Sequence, residues 1–376
     1  MVSLSSFNIK KVSMYLAGLM LLCFLHFSCQ VLSASGLYPD GNKDAQGACS
    51  SGVDIRPTTT GCVRVGAIAI AGVDESGQDS DIKVMAENKS VCQFGQDAAA
   101  FNVQESKAIL AVADGVGGAW GDSATLSREL IGQIIEPSNP ESTEEEIDSA
   151  CKEICPDWLK KCLEAEKERN EKELKEGKLT EDEYKLSQEN NNGEPYALNW
   201  AATTFNLVKI DYHAGKCVVV NIGDSSMMLL RKDKDGYEDP YKSEETMHGE
   251  NWPCAISMRV NKKEYEEYKK RKAVMGSGQA EYPCAEYTKD RCASLSFEIQ
   301  QEDIVIMGTD GLSDNVSSKK IRTTVSDTVV GCDPSKKSIQ EIARDIARAL
   351  TVKAYENSKT PRGKPDDITV LVAILK

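Results

Sequence analysis

Four short apolar runs along the chain each meet an aspartate at one end, with glycine beside or near that acid in most of them. Each run has the length of a buried β-strand, and the acid stands where the strand would meet a turn. The runs and their acidic segments are Ala108–Ala113 with Asp114-Gly115-Val116-Gly117-Gly118, Cys217–Ile222 with Gly223-Asp224-Ser225, Ile304–Met307 with Gly308-Thr309-Asp310-Gly311, and Ile368–Leu375 with Pro365-Asp366-Asp367. The pattern predicts strand ends that each present a carboxylate.

Helical spacing of apolar residues appears between these strands. Ser123–Ile135 follows the first acidic segment, which places Asp114 in a strand-to-helix turn, and Ile339–Ala354 is the clearest amphipathic helix. Ser294–Gln300 and Asp303–Met307 read as a hairpin. Strands and helices are grouped and do not alternate strictly, which favours an α+β sandwich over a doubly wound sheet.

The N-terminal residues have the order of a secretory signal peptide. Lys10 and Lys11 precede the apolar run Met14–Leu25, and the small residues Ser33–Gly36 follow it. We therefore expect a signal peptide over 1–35, a linker over 36–62, and a location in the secretory pathway or outside the cell. The alternative is an uncleaved signal anchor, which would associate the protein with a membrane or an organelle.

The remaining residues, 63–376, are expected to form one domain with a charged insertion at about 137–196. A tract dense in Glu and Lys usually forms a solvated helical face; the alternative is a surface that binds a partner. The formal net charge of −14 argues against nonspecific binding to nucleic acid. The 13 cysteines include no CxxC pair, which argues against a zinc module built on such pairs.

Strand ends that carry carboxylates beside glycine can converge on hard cations. Mg²⁺ and Mn²⁺ prefer oxygen ligands, and glycine lets the backbone approach so that a carbonyl can also serve. No Gly-x-Ser-x-Gly elbow surrounds Ser225 or Ser257, so neither is expected to act as a nucleophile. The residues predict a metal site made of carboxylates.

The motifs together resemble those of the metal-dependent type 2C protein phosphatases. Asp114–Gly118 is similar to their DGxGG segment, Asn221–Ser225 to NxGDS, Thr309–Asn315 to their strand-end aspartate motif, and Asp366–Val370 to the closing D-[DN]-x-[ST]-V. The resemblance covers roughly residues 63–376. Trp120, the segment His248–Ser257 and Lys364–Val370 make the chain look most like the eukaryotic organellar branch.

That resemblance implies an α-β-β-α sandwich, in which helices flank two central antiparallel sheets, and a pair of Mg²⁺ or Mn²⁺ ions. Asp114 would bridge both ions and the Gly115 carbonyl would bind one, while Asp310 and Asp366 would complete the shell of the first. Asp224 is the candidate ligand of a weaker third ion. The implied activity is hydrolysis of phosphoserine and phosphothreonine in phosphoprotein substrates by metal-activated water.

Three positions depart from the family pattern. Gln96 stands where the family has an acid that helps to hold the second ion, so we expect weaker binding there; Asp97 matches the next acid and would hold metal-bound water. Cys92 replaces a phosphate-binding arginine, and Val116 replaces a histidine used as general acid. We expect lower activity; the alternatives are a non-catalytic relative that binds phosphoproteins and a hydrolase of small phosphate esters.

Overall fold

The computed structural model describes most of the predicted domain. It covers residues 63–117, 123–135, 145–154, 168, 171–178, 180, 201–234, 236–249, 252–260, 267, 270, 285–331 and 337–376. The predicted signal peptide, the linker and most of the 137–196 insertion lie outside these residues. Within the described ranges, no helix is both long and apolar enough to cross a membrane.

Seventeen strands are assigned among the described residues, and every pairing between them is antiparallel. The strands are β1 Val65–Val73, β2 Lys83–Met85, β3 Cys92–Phe94, β4 Asp97–Val103, β5 Lys107–Ala113, β6 Ala201–Thr203, β7 Phe205–Asp211, β8 Lys216–Ile222, β9 Ser226–Asp233, β10 Gly236–Lys242, β11 Met247–Gly249, β12 Trp252–Pro253, β13 Ile256–Val260, β14 Ala285–Lys289, β15 Ala293–Glu298, β16 Ile304–Gly308 and β17 Ile368–Leu375.

Two six-stranded sheets contain most of these strands. The first sheet has the order β10-β9-β16-β17-β1-β2, and the second has the order β15-β8-β7-β5-β4-β3. Smaller sheets join β14-β13-β6 and β11-β12. The helices are α1 Ser123–Ile135, α2 145–154, α3 Asp310–Ser313, α4 Ser318–Gly331 and α5 Ile339–Ser358, with a further helical segment at 171–175.

Three apolar clusters hold the layers together. Side chains such as Leu110 of β5 and Leu371 of β17 fill the space between the two large sheets. The outer face of the first sheet packs on α4 and α5, and the outer face of the second packs on α1 and α2. Burial on both faces explains why the central strands read as continuous apolar runs. The described residues therefore form the predicted α-β-β-α sandwich.

One predicted pairing is wrong. β15 and β16 do not form a hairpin, because β15 pairs with β8 at the edge of the second sheet, whereas β16 lies between β9 and β17 in the first. The turn between them contains Glu302 with a positive φ of 67°. β16 is buried throughout and β15 is half exposed, so the chain crosses from one layer to the other here.

Candidate metal centre

The acidic strand ends predicted from the sequence meet at one end of the sandwich. Asp114 follows β5 and Asp97 begins β4 in the second sheet, whereas Asp310 follows β16 and Asp366 precedes β17 in the first. A hydrogen bond joins the sheets, in which the Thr309 hydroxyl donates to Asp97 Oδ2 at 2.8 Å. In each sheet one strand ends where its antiparallel neighbour begins, so acids that are far apart in sequence lie at the same end of the sandwich.

The backbone of Asp114 is fixed by two threonines. Its carbonyl oxygen accepts hydrogen bonds from the Thr203 hydroxyl at 2.9 Å and from the Thr204 amide at 2.8 Å. Its amide donates to the Thr204 hydroxyl at 3.2 Å. The same contacts mark a break in the strand, since Thr204 separates β6 from β7. The Asp114 carboxylate is therefore presented from a rigid strand end.

Gly115 allows the Asp114 turn to lie directly against Gln96. A Cβ added at Gly115 would come within 2.8 Å of the Gln96 carbonyl oxygen and 2.9 Å of its Cβ. The side-chain oxygen of Gln96 faces the same turn, 3.8 Å from where a Cβ on Gly117 would stand. Gln96 thus lies beside the predicted bridging aspartate, although its role as a ligand stays a prediction.

Asp310 is held close to the segment that precedes β17. It opens α3, and a Cβ added to the next residue, Gly311, would come within 2.0 Å of the Asp367 carbonyl oxygen. Asp367 is a structural neighbour, since its two carboxylate oxygens accept hydrogen bonds from the amides of Glu75 at 2.8 Å and Gln96 at 2.7 Å. Glycine at 311 therefore lets the two acidic segments of the first sheet touch.

The turn that carries Asp224 packs on the same threonine that fixes Asp114. Gly223 has φ of +105°, and a Cβ there would lie 2.7 Å from Thr204 Cβ. The hydroxyls of Thr204 and Ser225 are 2.8 Å apart. Ser225 is buried in this contact, so it contributes to the packing of the turn.

Sequence reasoning missed Lys364 as a member of the site. Its ammonium lies 2.5 Å from Asp310 Oδ2, 3.0 Å from Asp314 Oδ2 and 3.7 Å from Asp366 Oδ2. Partial burial alone would lower its pKa, but the hydrogen bonds and charges of Asp310 and Asp314 raise the pKa of Lys364 above its usual value. Its position two residues before Asp366 was the available signal.

Asn315 places Lys364 in this position. The Asn315 side-chain amide donates to the Lys364 carbonyl at 2.9 Å, and the Lys364 amide donates to Asn315 Oδ1 at 3.1 Å. The carbonyl of Asn315 accepts from the Asn357 side chain on α5 at 2.8 Å. These amide hydrogen bonds thus fix the backbone of Lys364, whose ammonium group lies beside the carboxylates.

Burial and the charges of neighbouring carboxylates raise the pKa values of Asp114, Asp224 and Asp366. Burial, followed by the charges of Asp97 and Asp310, raises the pKa of Asp114 well above its usual value. Burial, followed by the charge of Asp310, raises the pKa of Asp224 to about 6 and the pKa of Asp366 to about 6. Like charges in a partly desolvated site disfavour ionisation unless a cation compensates them.

The donor set fits Mg²⁺ or Mn²⁺. The candidate ligands at the converging strand ends all offer oxygen, from the carboxylates of Asp114, Asp310, Asp366 and Asp224 to the amide of Gln96. The raised pKa values of Asp114 and Asp366 are those expected of carboxylates that are partly desolvated and held near one another, and a bound cation would lower them. The site is therefore suited to hard divalent cations.

Other predicted residues contribute differently. Cys92 is buried on β3, and burial with a smaller contribution from Glu87 raises the pKa of its thiol to about 11, so it remains neutral. It cannot replace a phosphate-binding arginine. Asp97 is buried, and burial followed by the charge of Asp367 raises its pKa well above the usual value. His248 contacts Asp290 and Trp252 instead of the clustered acids.

The sandwich and its carboxylate cluster define a metal-dependent hydrolase of the kind that activates water with bound divalent cations. Residues 86–350 match the family model described as protein phosphatase 2C, and the chain belongs to that family. It is therefore a metal-dependent protein serine/threonine phosphatase, which confirms the predicted family, fold class and enzyme class.

Two curated relatives show the extent of the similarity. The protein phosphatase PTC7 homolog of Danio rerio is 28% identical over 320 residues, which cover 76% of this chain and 83% of that protein. The PTC7 homolog of Homo sapiens is 28% identical over 188 residues, which cover 46% of this chain and 54% of that protein. The X-ray structure of the photosystem II phosphatase PBCP aligns with a TM-score of 0.42 and 16% identity over 76% of this chain and 97% of its own, a likeness too distant to transfer residue roles.

Replacing Asp366 by asparagine is expected to raise the melting temperature of the metal-free protein at pH 7. The pKa of Asp366 is raised from about 3.9 in an unfolded chain to about 6 in the fold, so the folded state binds more protons between these values. The stability that the protonated Asp366 carboxyl contributes to the folded state is fully present below about pH 4 and is lost as the pH rises through about 6. The variant should also gain less stability than the wild type when Mn²⁺ is added.

Thermal melts of the metal-free protein between pH 4 and pH 8 would measure both effects. Asp327→Asn, on an exposed position of α4, is the matched control and should change neither. A lower melting temperature for Asp366→Asn at pH 7 without metal would contradict the view that repulsion destabilises the empty cluster.

Lys364→Met is expected to strengthen Mn²⁺ binding to the metal-free protein by a factor on the order of ten, because it removes a positive charge next to the carboxylates. Isothermal titration calorimetry would measure the affinity. Lys216→Met, at the opposite end of β8 from Asp224, is the control and should leave it unchanged. Weaker Mn²⁺ binding by Lys364→Met would show that the lysine supports the cation site.

Proposed function

We propose that the chain hydrolyses phosphoserine and phosphothreonine in proteins with two divalent ions held by its clustered aspartates. The observation that carries this proposal is the convergence of Asp310 and Asp366 on one ammonium group, that of Lys364, close to Asp114, whose backbone is fixed. Asp114 is the proposed bridge, the Gly115 carbonyl a further ligand, and Asp310 with Asp366 the rest of the first shell. Asp224 is the proposed ligand of a third ion.

When bound, such ions lower the pKa of a coordinated water and neutralise charge on the phosphoryl oxygens. The protein's part is to hold the donors rigidly, which Thr203 and Thr204 do for Asp114. The buried Asp97, which accepts from Thr309, is the proposed partner of a metal-bound water. No serine or cysteine nucleophile would be needed, because water would attack phosphorus directly, the bond from phosphorus to the serine or threonine oxygen would break, and that oxygen would leave as an alkoxide.

Two features of the chain point to a modest rate. Val116 offers no proton to the leaving alkoxide, so we infer that solvent protonates it. Cys92 is a neutral buried thiol and adds no charge to orient the phosphate. The non-catalytic alternative rests on these same departures, and nothing in the comparisons favours it over the active enzyme.

A phosphate-release assay with a phosphothreonine peptide and Mn²⁺ tests the proposal. Asp114→Asn is expected to lower the rate by at least about 100-fold, because stabilisation of several kcal/mol by the metals depends on this ligand. Asp327→Asn serves as the control and should retain the wild-type rate. Equal rates for the wild type and Asp114→Asn would instead favour a phosphoprotein-binding role. Hydrolysis of small phosphate esters alone would identify the substrate class as small molecules.

Gln96→Asp is expected to lower the Mn²⁺ concentration for half-maximal activity by a factor on the order of ten, because it restores a charged oxygen beside the Asp114 turn. Gln96→Asn is the matched control, because asparagine has the length of aspartate but no charge, and it should give no such gain. A metal titration of phosphatase activity measures both. If the two variants needed equal Mn²⁺, residue 96 would not contact an ion.

We also propose a secretory or secreted location, with the mature chain starting near residue 36. The support is the order of Lys10, Lys11, the apolar run Met14–Leu25 and the small residues that follow. Membrane or organellar anchoring is the alternative, and the charged 137–196 insertion is a proposed partner-binding surface. Sequencing the N-terminus of the mature protein tests the cleavage; a chain that still begins at Met1 would overturn it.

A further inference from the structure

A second cluster of metal-ligating side chains lies apart from the aspartates described above. His248 on β11, Cys254 after β12 and Asp290 after β14 each bring one ligand atom to within 4.8 Å of the others. Nitrogen, sulfur and oxygen donors are thus gathered from segments that are up to 42 residues apart in sequence. These three ligands do not follow a short sequence motif, which explains why the sequence did not predict the cluster.

The three side chains are oriented by their neighbours. His248 Nε2 lies 2.9 Å from Asp290 Oδ2, and the same oxygen accepts a hydrogen bond from the Ala255 amide at 3.0 Å. The His248 ring packs against Trp252 with ring centroids 5.0 Å apart. Cys254 is 3% exposed, whereas His248 and Asp290 are partly open to solvent. The cluster therefore has a buried thiol on one side and access for water on the other.

We propose that His248, Cys254 and Asp290 bind a single transition-metal ion of the zinc class. Zn²⁺ is commonly held by imidazole, thiolate and carboxylate in a tetrahedron, and water can occupy a fourth position. With bonds of about 2.0–2.3 Å, tetrahedral donors lie roughly 3.3–3.8 Å apart, so side-chain movements of about 1 Å would close this cluster around an ion. Mg²⁺ is a poor match because it does not favour thiolate.

The cluster connects to the turn that carries Asp224. The Cys254 amide donates to the Thr246 carbonyl at 2.9 Å, and the Thr246 amide donates to the Gly223 carbonyl at 2.8 Å. The Thr246 hydroxyl also accepts from the Gly223 amide at 2.6 Å. An ion bound to Cys254 would stabilise this turn and the fold, without taking part in the hydrolysis of the phosphate ester.

Cobalt substitution in the full-length protein tests the site independently of phosphatase activity. Co²⁺ is added to metal-free protein in excess Mg²⁺, and thiolate-to-cobalt absorption in the near ultraviolet is followed. The oxygen-only aspartate centre cannot give this absorption, because it has no thiolate. We expect one saturable Co²⁺ per chain, displaced by Zn²⁺, and a higher melting temperature with Zn²⁺ than without it.

Variants distinguish a metal site from the alternative, in which His248 and Asp290 form only a surface hydrogen bond beside the buried Cys254 thiol. Cys254→Ser should abolish the absorption, and His248→Ala and Asp290→Asn should each weaken Co²⁺ binding by at least about tenfold. His213→Ala, at an exposed position on another turn, should bind as the wild type does. Because His248 and Asp290 are partly exposed, both variants should fold, which their circular dichroism would verify. Absence of the absorption in the wild type, or its persistence at full affinity in both folded variants, would overturn the proposal.

Discussion

Repulsion among carboxylates that the fold holds together is the constraint on which the site depends. Asp114, Asp310 and Asp366 come from both sheets of the sandwich, and burial together with the charges of neighbouring carboxylates raises the pKa of Asp114 and Asp366. Such an arrangement is unfavourable without positive charge. The apolar packing between the sheets and the hydrogen bonds at their ends must therefore offset this repulsion, and bound cations relieve it. Binding of metal and stability of the fold are coupled for this reason.

Neutral polar residues supply the rigidity that this arrangement requires. Thr203 and Thr204 fix the backbone of Asp114, while Asn315 fixes Lys364 on the other side. The small residues Gly115 and Gly311 allow the acidic segments to approach closely. Lys364 partly compensates the acids, so the same residue stabilises the empty cluster and competes with an incoming ion.

The sequence predicted features that depend on local pattern. Apolar runs with an acid at one end predicted the positions of Asp114, Asp310 and Asp366, and the helical spacing of apolar residues predicted α5. It did not predict Lys364, because a lysine in a charged loop usually faces solvent, nor the break at Thr204, which follows from contacts with a distant turn. The proposed β15–β16 hairpin was wrong because adjacency in sequence does not reveal that the chain changes layers. The assignments of individual metal ligands stay predictions.

Anomalous diffraction from crystals soaked in Mn²⁺ would locate the bound ions. We expect an anomalous peak at about 2.1 Å from oxygens of Asp114, Asp310 and Asp366, with the Lys364 ammonium moved away from Asp310. A second peak beside Asp114 and the Gly115 carbonyl should show lower occupancy at limiting Mn²⁺, because Gln96 provides a neutral oxygen. Mn²⁺ bound elsewhere in the crystal, with Lys364 still bonded to Asp310, would show that these aspartates are not the metal site.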